Sequence, residues 1–134
     1  MDTHLTDVIE ECTRGSDEER LTFPSIITQL ASAGIERYSA DLCRWEKTYF
    51  LTSGESIVVP CKRIGGELAT TFSAHGVESA VRASQSQSIK YNEFCRRALS
   101  AGCVGYIVSI VGRRVVYFGR SGEMHIEHFP TAKP

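Results

Sequence analysis

The first part of the chain contains two helical patterns. Leu5, Ile9 and Cys12 recur at helical spacing, and Pro24 stands where the first turn of a second helix would lie. The second helix is predicted to end at Gly34, because a glycine readily adopts the left-handed conformation that ends many helices. We therefore predict two consecutive helices at the start of the chain.

After this glycine the pattern alternates with a period of two residues, which is typical of strands. Alternating residues from 37 to 42 indicate a half-exposed strand, and further strands are predicted at 47–51 and 56–60. The Ser53-Gly54 pair supplies the positive φ that a tight hairpin needs. The predicted order is helix, helix and three strands.

The same order returns 68 residues later in the chain. Between residues 8 and 56, 12 of 49 positions are identical to the residue 68 places further on, without a gap. The identities include both the helix-ending glycine and the Ser-Gly turn. We predict one domain, 1–134, built from duplicated halves at 1–67 and 68–134.

The second half completes the predicted fold. The strand at 104–111 is apolar on both faces, so it should lie centrally in the sheet. Asn92 is a candidate cap for the helix before it. The span 61–75 has no counterpart, and a connector with a short helix at 67–72 is predicted there. Helices grouped before strands favour a two-layer α+β fold, with helices packed on an antiparallel meander sheet.

Composition and charge exclude several classes of protein. The 134 residues are 42% hydrophobic and 23% charged, and their formal net charge is −1. These values are typical of a folded domain, not of a disordered or collagen-like chain. No apolar run approaches the roughly 18 residues of a membrane helix, and the amino terminus lacks the order of a signal peptide. We expect a cytoplasmic protein that makes no use of a membrane.

The five cysteines are an odd number and include no C-x-x-C pair. This pattern fits neither a secreted disulfide scaffold nor a structural zinc site. A nucleophilic cysteine would need a neighbouring histidine, and the spacing supplies none. We expect reduced thiols that pack, for the most part, as small buried hydrophobic groups.

Three long segments carry a resemblance to a known family. They read GIERYSADLCRWEKTYF at 34–50, FCRRALSAGCVGYIV at 94–108 and GRRVVYFGRSGEMHIEHFP at 112–130. The chain resembles a bacterial family that includes prophage-encoded YbcV-like and YdfO-like proteins, often labelled "phage envelope protein". The resemblance implies a two-layer α/β fold, a bacterial or prophage setting and no established activity.

One cluster of ionisable residues consists of Glu123, His125 and Glu127, whose spacing puts them on one face of a strand. A histidine between two carboxylates can hold a metal or act as an acid–base unit. An exposed strand face with ordinary polar residues explains the same pattern. No H-E-x-x-H, P-loop or G-x-G-x-x-G motif accompanies the cluster. We therefore assign no metal, cofactor or catalytic residue, and lean against an enzyme.

A basic stretch of 31 residues contains one acid, Glu93. Its six basic residues are Lys90, Arg96, Arg97, Arg113, Arg114 and Arg120. Arginine suits carboxylate and phosphate groups, and neighbouring aromatic rings could stack on bases. Those rings are needed for the core, so nucleic-acid binding is not expected. Arg113, Arg114 and Arg120 stay candidate ligand-binding residues, together with the Glu123 cluster.

Two functions from different classes remain open. The first prediction is an interaction or regulatory module that acts through its sheet face or by self-association, because exposed strand edges must be covered or paired. It implies a protein partner or a homo-oligomer. The alternative is a ligand-binding or enzymatic module with a cleft between the halves, lined by Tyr38, Glu55, Tyr106 and Glu123.

The net charge conceals a difference between the halves. Residues 1–67 contain 7 Lys/Arg and 12 Asp/Glu, a charge of −5, whereas residues 68–134 contain 8 and 4, a charge of +4. We predict an acidic side and a basic side, which favour docking between complementary surfaces.

Overall fold

A computed structural model describes residues 2–130. The first half comprises α1 (Thr3–Asp17), α2 (Phe23–Ser32), β1 (Ile35–Asp41), β2 (Glu46–Leu51) and β3 (Ser56–Pro60). The second half comprises α3 (Ala74–Gln85), α4 (Tyr91–Ser100), β4 (Cys103–Ser109), β5 (Arg114–Gly119) and β6 (Met124–His128).

The six strands form a single antiparallel sheet in the order β3-β2-β1-β4-β5-β6. The predicted α+β fold is confirmed, and β4 lies centrally, paired with β1 across the junction of the halves. Alternate strand residues are buried under the helices, as Tyr38 and Tyr106 are. The other sheet face carries exposed apolar side chains, including Val58 and Ile107.

The two halves share their element bounds at an offset of 68 residues, from α2 with α4 to β3 with β6. Residues with positive φ follow the same offset, among them Glu19 with Gln87 and Trp45 with Arg113. The predicted helix-ending and hairpin glycines all have positive φ, between 83° and 93°. These likenesses describe geometry and do not test an origin, so duplication stays a prediction.

The connector between the halves differs from the prediction. Residues 61–73 form neither helix nor strand, so the helix predicted at 67–72 is wrong. Backbone N–H groups of Ala69 and Ser73 donate to the carbonyls of Leu99 and Ala101, at 2.9 and 2.7 Å. These long-range bonds hold the connector against the end of α4 in a non-helical conformation.

The start of α4 is capped from the other half. Lys90 precedes the helix and makes no side-chain cap bond, whereas a carboxylate oxygen of Glu19 accepts from the backbone N–H of Asn92 at 3.2 Å. Asn92 lies within the first turn, so its prediction as a cap is wrong. A carboxylate at this position satisfies an orphan N–H and favours the positive end of the helix dipole.

All five cysteines are free. Cys12, Cys95 and Cys103 are buried, as expected for core thiols, whereas Cys43 is exposed and Cys61 lies between these extremes. Burial raises the pKa of the Cys95 thiol to about 12 and that of Cys61 to about 11. In the described part of the chain, no helix is both long and apolar enough to cross a membrane.

Candidate ligand-binding site

A cavity of about 640 Å³ lies at the junction of the halves, between the helices and the sheet. Its volume falls in the range of small-molecule sites. Exposed residues such as Arg20 and Gln87 lie at its rim, and buried ones such as Tyr38 and Lys47 form its floor. We call it the inter-half cavity.

The lining of the inter-half cavity follows the repeat of the chain. Many lining residues form pairs 68 positions apart, such as Tyr38 with Tyr106. The other such pairs are Ser16 with Ser84, Glu19 with Gln87, Leu21 with Ile89, Thr22 with Lys90, Phe23 with Tyr91, Ile26 with Phe94, and Lys47 with Val115. The cavity therefore lies where equivalent elements of the two halves meet.

Lys47 is the cationic side chain on the floor of the cavity. It is 3% exposed. Its Nζ atom lies 3.4 Å from Ser16 Oγ and 4.7 Å from the centre of the Tyr91 ring. Within residues 2–130, no carboxylate lies within ion-pair distance of this amine. Burial lowers the pKa of Lys47. The nearby thiols and Asp17 act to raise that pKa, but their effect is smaller.

Tyrosines form much of the remaining floor. The hydroxyls of Tyr91 and Tyr106 lie 2.7 Å apart, and the rings of Tyr106 and Tyr117 pack with 5.6 Å between their centres. Within the described residues, the Tyr38 hydroxyl has no hydrogen-bond partner on the protein. Burial raises the pKa of Tyr38 and Tyr106 well above the ordinary value, so both keep their protons and can donate.

A network of charged groups stands beside the cavity. Glu127, which also lines the cavity, accepts from Arg82 of α3 at 2.7 Å and contacts His125 Nε2 at 2.5 Å. Partial burial by itself would raise the pKa of Glu127, but the hydrogen bonds from Arg82 and His125 outweigh it and lower that pKa. Glu78 joins this cluster, with ligand-type atoms of Glu78, His125 and Glu127 within 4.8 Å of one another. Arg82 already bridges the two carboxylates, so we assign no metal.

Glu55 and Glu123, two further predicted cleft residues, are not brought to the cavity. Glu123 precedes β6, and one of its carboxylate oxygens accepts from the backbone N–H of Ser121 at 3.1 Å. Glu55 occupies the matching turn, where Ser53 donates to its carboxylate at 3.1 Å. Both carboxylates thus bind the chain within hairpin turns, and Glu123 does not join the His125 cluster.

The predicted basic residues do not converge on one surface. Arg114 begins β5 and Arg120 follows its last residue, so about 20 Å of extended chain separates them at 3.4 Å per residue. Arg113 lies over the ring of Phe129, 5.5 Å from its centre. Arg96 and Arg97 both pair with Glu93 on α4. Lys90 is the member of this group that lines the inter-half cavity.

A family model described as "Protein of unknown function (DUF1398)" matches residues 6–128. The chain belongs to the DUF1398 family. It is similar to uncharacterized proteins of Mycobacterium tuberculosis and Mycobacterium bovis, at 26% identity over 113 residues, which are 84% of this chain and 69% of each relative. The match covers helices and strands of both halves, as well as the lining of the inter-half cavity of this DUF1398 protein except Phe129 and Pro130.

Sequence reasoning missed Lys47 in this DUF1398 protein, although a signal was present. In the predicted strand at 47–51, Lys47 has the same parity as the buried Tyr49, so alternation places both on the helix-covered face. The residue 68 positions on is Val115, an aliphatic residue. Two features of the sequence therefore identify Lys47: it occupies an inward-facing strand position, and the equivalent residue of the other half is aliphatic.

Proposed function

We propose that this protein binds a small organic molecule in the inter-half cavity, with Lys47 as its principal polar contact. The proposal rests on a buried amine that has no carboxylate partner among residues 2–130 and lies on the floor of a cavity of 640 Å³. This is the ligand-binding alternative of the sequence analysis, now centred on a different residue.

Lys47 is costly for the fold, which supports a role in binding. An ammonium group taken from water needs partners for its three N–H donors, and Ser16 Oγ offers one long contact at 3.4 Å. The equivalent position in the second half is Val115, which is 5% exposed. Since an aliphatic side chain fills that position, the architecture does not require an amine there.

The lining indicates the kind of ligand. Aromatic and aliphatic side chains, such as Phe94, Ile26 and Tyr117, surround the cavity floor, and they suit an apolar or aromatic body. Lys47 and the Tyr38 hydroxyl, which has no partner in the described part of the chain, are both donors, so the ligand should present an acceptor group to them. A carboxylate or carbonyl on a compact apolar body meets both conditions.

A thermal-shift panel of small aromatic and aliphatic carboxylates, aldehydes and ketones tests this proposal. A bound compound stabilises the folded chain by mass action, by about 2.7 kcal/mol at 100 times its dissociation constant. We expect stabilisation by some members of the panel, with the shift lost in Lys47→Met and kept in Lys62→Met, a change of an exposed lysine. No shift across the panel, or equal shifts in both variants, would contradict the proposal.

The open sheet face favours a second candidate function, an interaction module that binds a protein partner or a second copy of this chain. Ile107 and Ile126 are 40% and 41% exposed and lie on either side of Val116 in one row of paired residues, while Val58, 53% exposed, is separated from them by Ser39 and Thr48. Exposed apolar side chains that lie together often mark interaction surfaces. Light scattering coupled to sizing chromatography tests this function. We expect an assembly that the Ile107→Ser substitution dissociates. A strict monomer with which no protein partner co-purifies would contradict it.

The biological setting is proposed from the sequence resemblance alone. It supports a bacterial prophage origin, and composition supports a cytoplasmic location. Phage-derived genes beside the coding gene, and recovery of the intact protein from the cytoplasmic fraction, are the expected observations. Recovery in a membrane or exported fraction would overturn the second expectation.

A further inference from the structure

We propose that Lys47 forms an imine with the carbonyl group of its ligand, so that the ligand class is aldehydes or ketones with an apolar or aromatic body. The inference rests on the proposed function, since it names the substrate class of the same cavity. It adds a covalent step that simple binding does not require.

The geometry isolates the amine from groups that would hold it as an ammonium ion. The titratable groups that act on Lys47 are Cys12 and Asp17 of α1, Cys95 of α4 and Cys61 after β3. Within residues 2–130, none forms an ion pair with its Nζ atom. The Tyr91 ring at 4.7 Å covers the amine without neutralising it.

Burial increases the fraction of Lys47 that is in the neutral amine form, compared with an ordinary lysine. It lowers the pKa of Lys47 because the charged form loses its hydration. The neutral form has the lone pair that attacks a carbonyl carbon, and desolvated lysines in apolar pockets are the ones that act as nucleophiles.

The step balances without any oxidant, reductant or cofactor. The Nζ lone pair of Lys47 forms a bond to the carbonyl carbon, and a proton passes from nitrogen to oxygen to give a carbinolamine. Loss of one water then leaves the carbon–nitrogen double bond, and hydrolysis reverses it. Ser16 Oγ, 3.4 Å from Nζ, can pass the proton, and the Tyr38 hydroxyl can donate to the carbonyl oxygen.

Reductive trapping tests the imine in the full chain. The protein is incubated at pH 7 with benzaldehyde, 4-hydroxybenzaldehyde or butanal, and sodium cyanoborohydride then converts any imine into a stable secondary amine. We expect one adduct per chain in the intact mass, which peptide mapping assigns to Lys47. The exposed Lys62 should react more slowly at pH 7, because an ordinary lysine has a pKa near 10.4 and is almost entirely protonated there.

Two variants and one competing ligand complete the experiment. Lys47→Met should lose the adduct, and Lys62→Met should keep it. If circular dichroism shows that Lys47→Met is unfolded, Lys47→Val, which introduces the residue found at the equivalent position 115, replaces it. Equal labelling of all lysines, or an adduct that persists without Lys47, overturns the imine. If benzoate stabilises the protein through Lys47 and no aldehyde is trapped, the imine fails and the proposed function stands. If neither benzoate nor any aldehyde binds, both fail.

Discussion

Polar side chains on the helix-covered sheet face occur where the two halves differ. Lys47 stands where the other half has Val115, and Glu127 stands where the first half has Val59. Tyr38 and Tyr106, in contrast, are identical and share equivalent positions. Among these inward-facing strand positions, the identical tyrosines belong to the core, whereas Lys47 and Glu127 carry charge where the halves differ.

Lys47→Met is expected to stabilise the protein. Removal of an unpartnered buried amine should raise the free energy of unfolding at pH 7 by about 1–2 kcal/mol, as apolar replacements of buried charges often do. Because the pKa of Lys47 is lower in the folded chain, the unfolded chain binds more protons and wild-type stability rises with pH. The difference between the two proteins should shrink as pH rises towards 10.5.

Urea unfolding of both proteins at several pH values measures this difference. Lys62→Met, at an exposed position, should change stability by less than about 0.5 kcal/mol. A loss of stability in Lys47→Met would mean that the amine supports the fold, which contradicts a role reserved for a ligand.

Glu127→Gln is expected to cost about 2 kcal/mol at pH 7, since its carboxylate accepts charge-assisted hydrogen bonds from Arg82 and His125. The pKa of Glu127 is lower in the folded chain than its ordinary 4.5. Its contribution is therefore complete above pH 4.5 and is lost as pH falls through the lower folded value.

Unfolding curves between pH 3 and pH 7 test this account of the Glu127 network. Glu93→Gln, which removes a carboxylate exposed on α4, is the control and should change stability clearly less. If the gap between wild type and Glu127→Gln is the same at pH 3 as at pH 7, the network does not hold the carboxylate in its charged form.

At the scale of elements, two matched glycines separate backbone conformation from packing. Gly34 and Gly102 end α2 and α4 with φ of 89° and 83°. A Cβ on Gly34 would have nothing within 4 Å, whereas one on Gly102 would lie 2.5 Å from the Thr71 carbonyl oxygen and 2.8 Å from Phe72 Cα. The connector thus passes directly over the end of α4.

Gly34→Ala should therefore cost about 1 kcal/mol, the penalty of a left-handed alanine. Gly102→Ala should cost about 1–3 kcal/mol more, because the connector backbone must move. Thermal unfolding of the two variants measures the difference. Equal losses of unfolding free energy in the two variants would show that the connector moves away from the added methyl group without an energetic penalty.

Local patterns predicted the elements well where neighbouring residues determine them. The alternation at 37–42 and the glycine after each helix indicated strands and helix ends that the structure confirms. The connector could not be predicted this way, because Ala69 and Ser73 bond to residues of α4 far along the chain. Glu55 and Glu123, which were expected in the cleft, do not reach it, because each carboxylate accepts a hydrogen bond within its own hairpin turn.

At the scale of the whole molecule, the charges of −5 and +4 on the halves predict complementary docking. Any self-association through these surfaces should weaken between 50 mM and 500 mM salt, because salt screens exposed charges. Sedimentation velocity at the two salt concentrations checks this. Association that is independent of salt would instead support an interface formed by the exposed apolar side chains around Ile107.

The cavity belongs to the same scale, since neither half contains it. Its floor joins β1 and β2 of one half to β4 and β5 of the other, and its rim takes residues from all four helices or their flanking loops. A pattern along the sequence identifies inward-facing positions such as Lys47, but the enclosed volume depends on how the halves pack. The sequence alone therefore does not show that Lys47 lies on the floor of a cavity.

Lys47 is the residue that we propose holds a small molecule in the inter-half cavity. The most direct test of this proposal is the NMR spectrum of the protein labelled with ¹³C at lysine Cε, titrated with benzoate and with benzaldehyde. The Lys47 signal should move with saturation, while that of Lys62, an exposed lysine outside the cavity, should stay in place. A Lys47 signal that never moves, or lysine signals that all move alike, would contradict it.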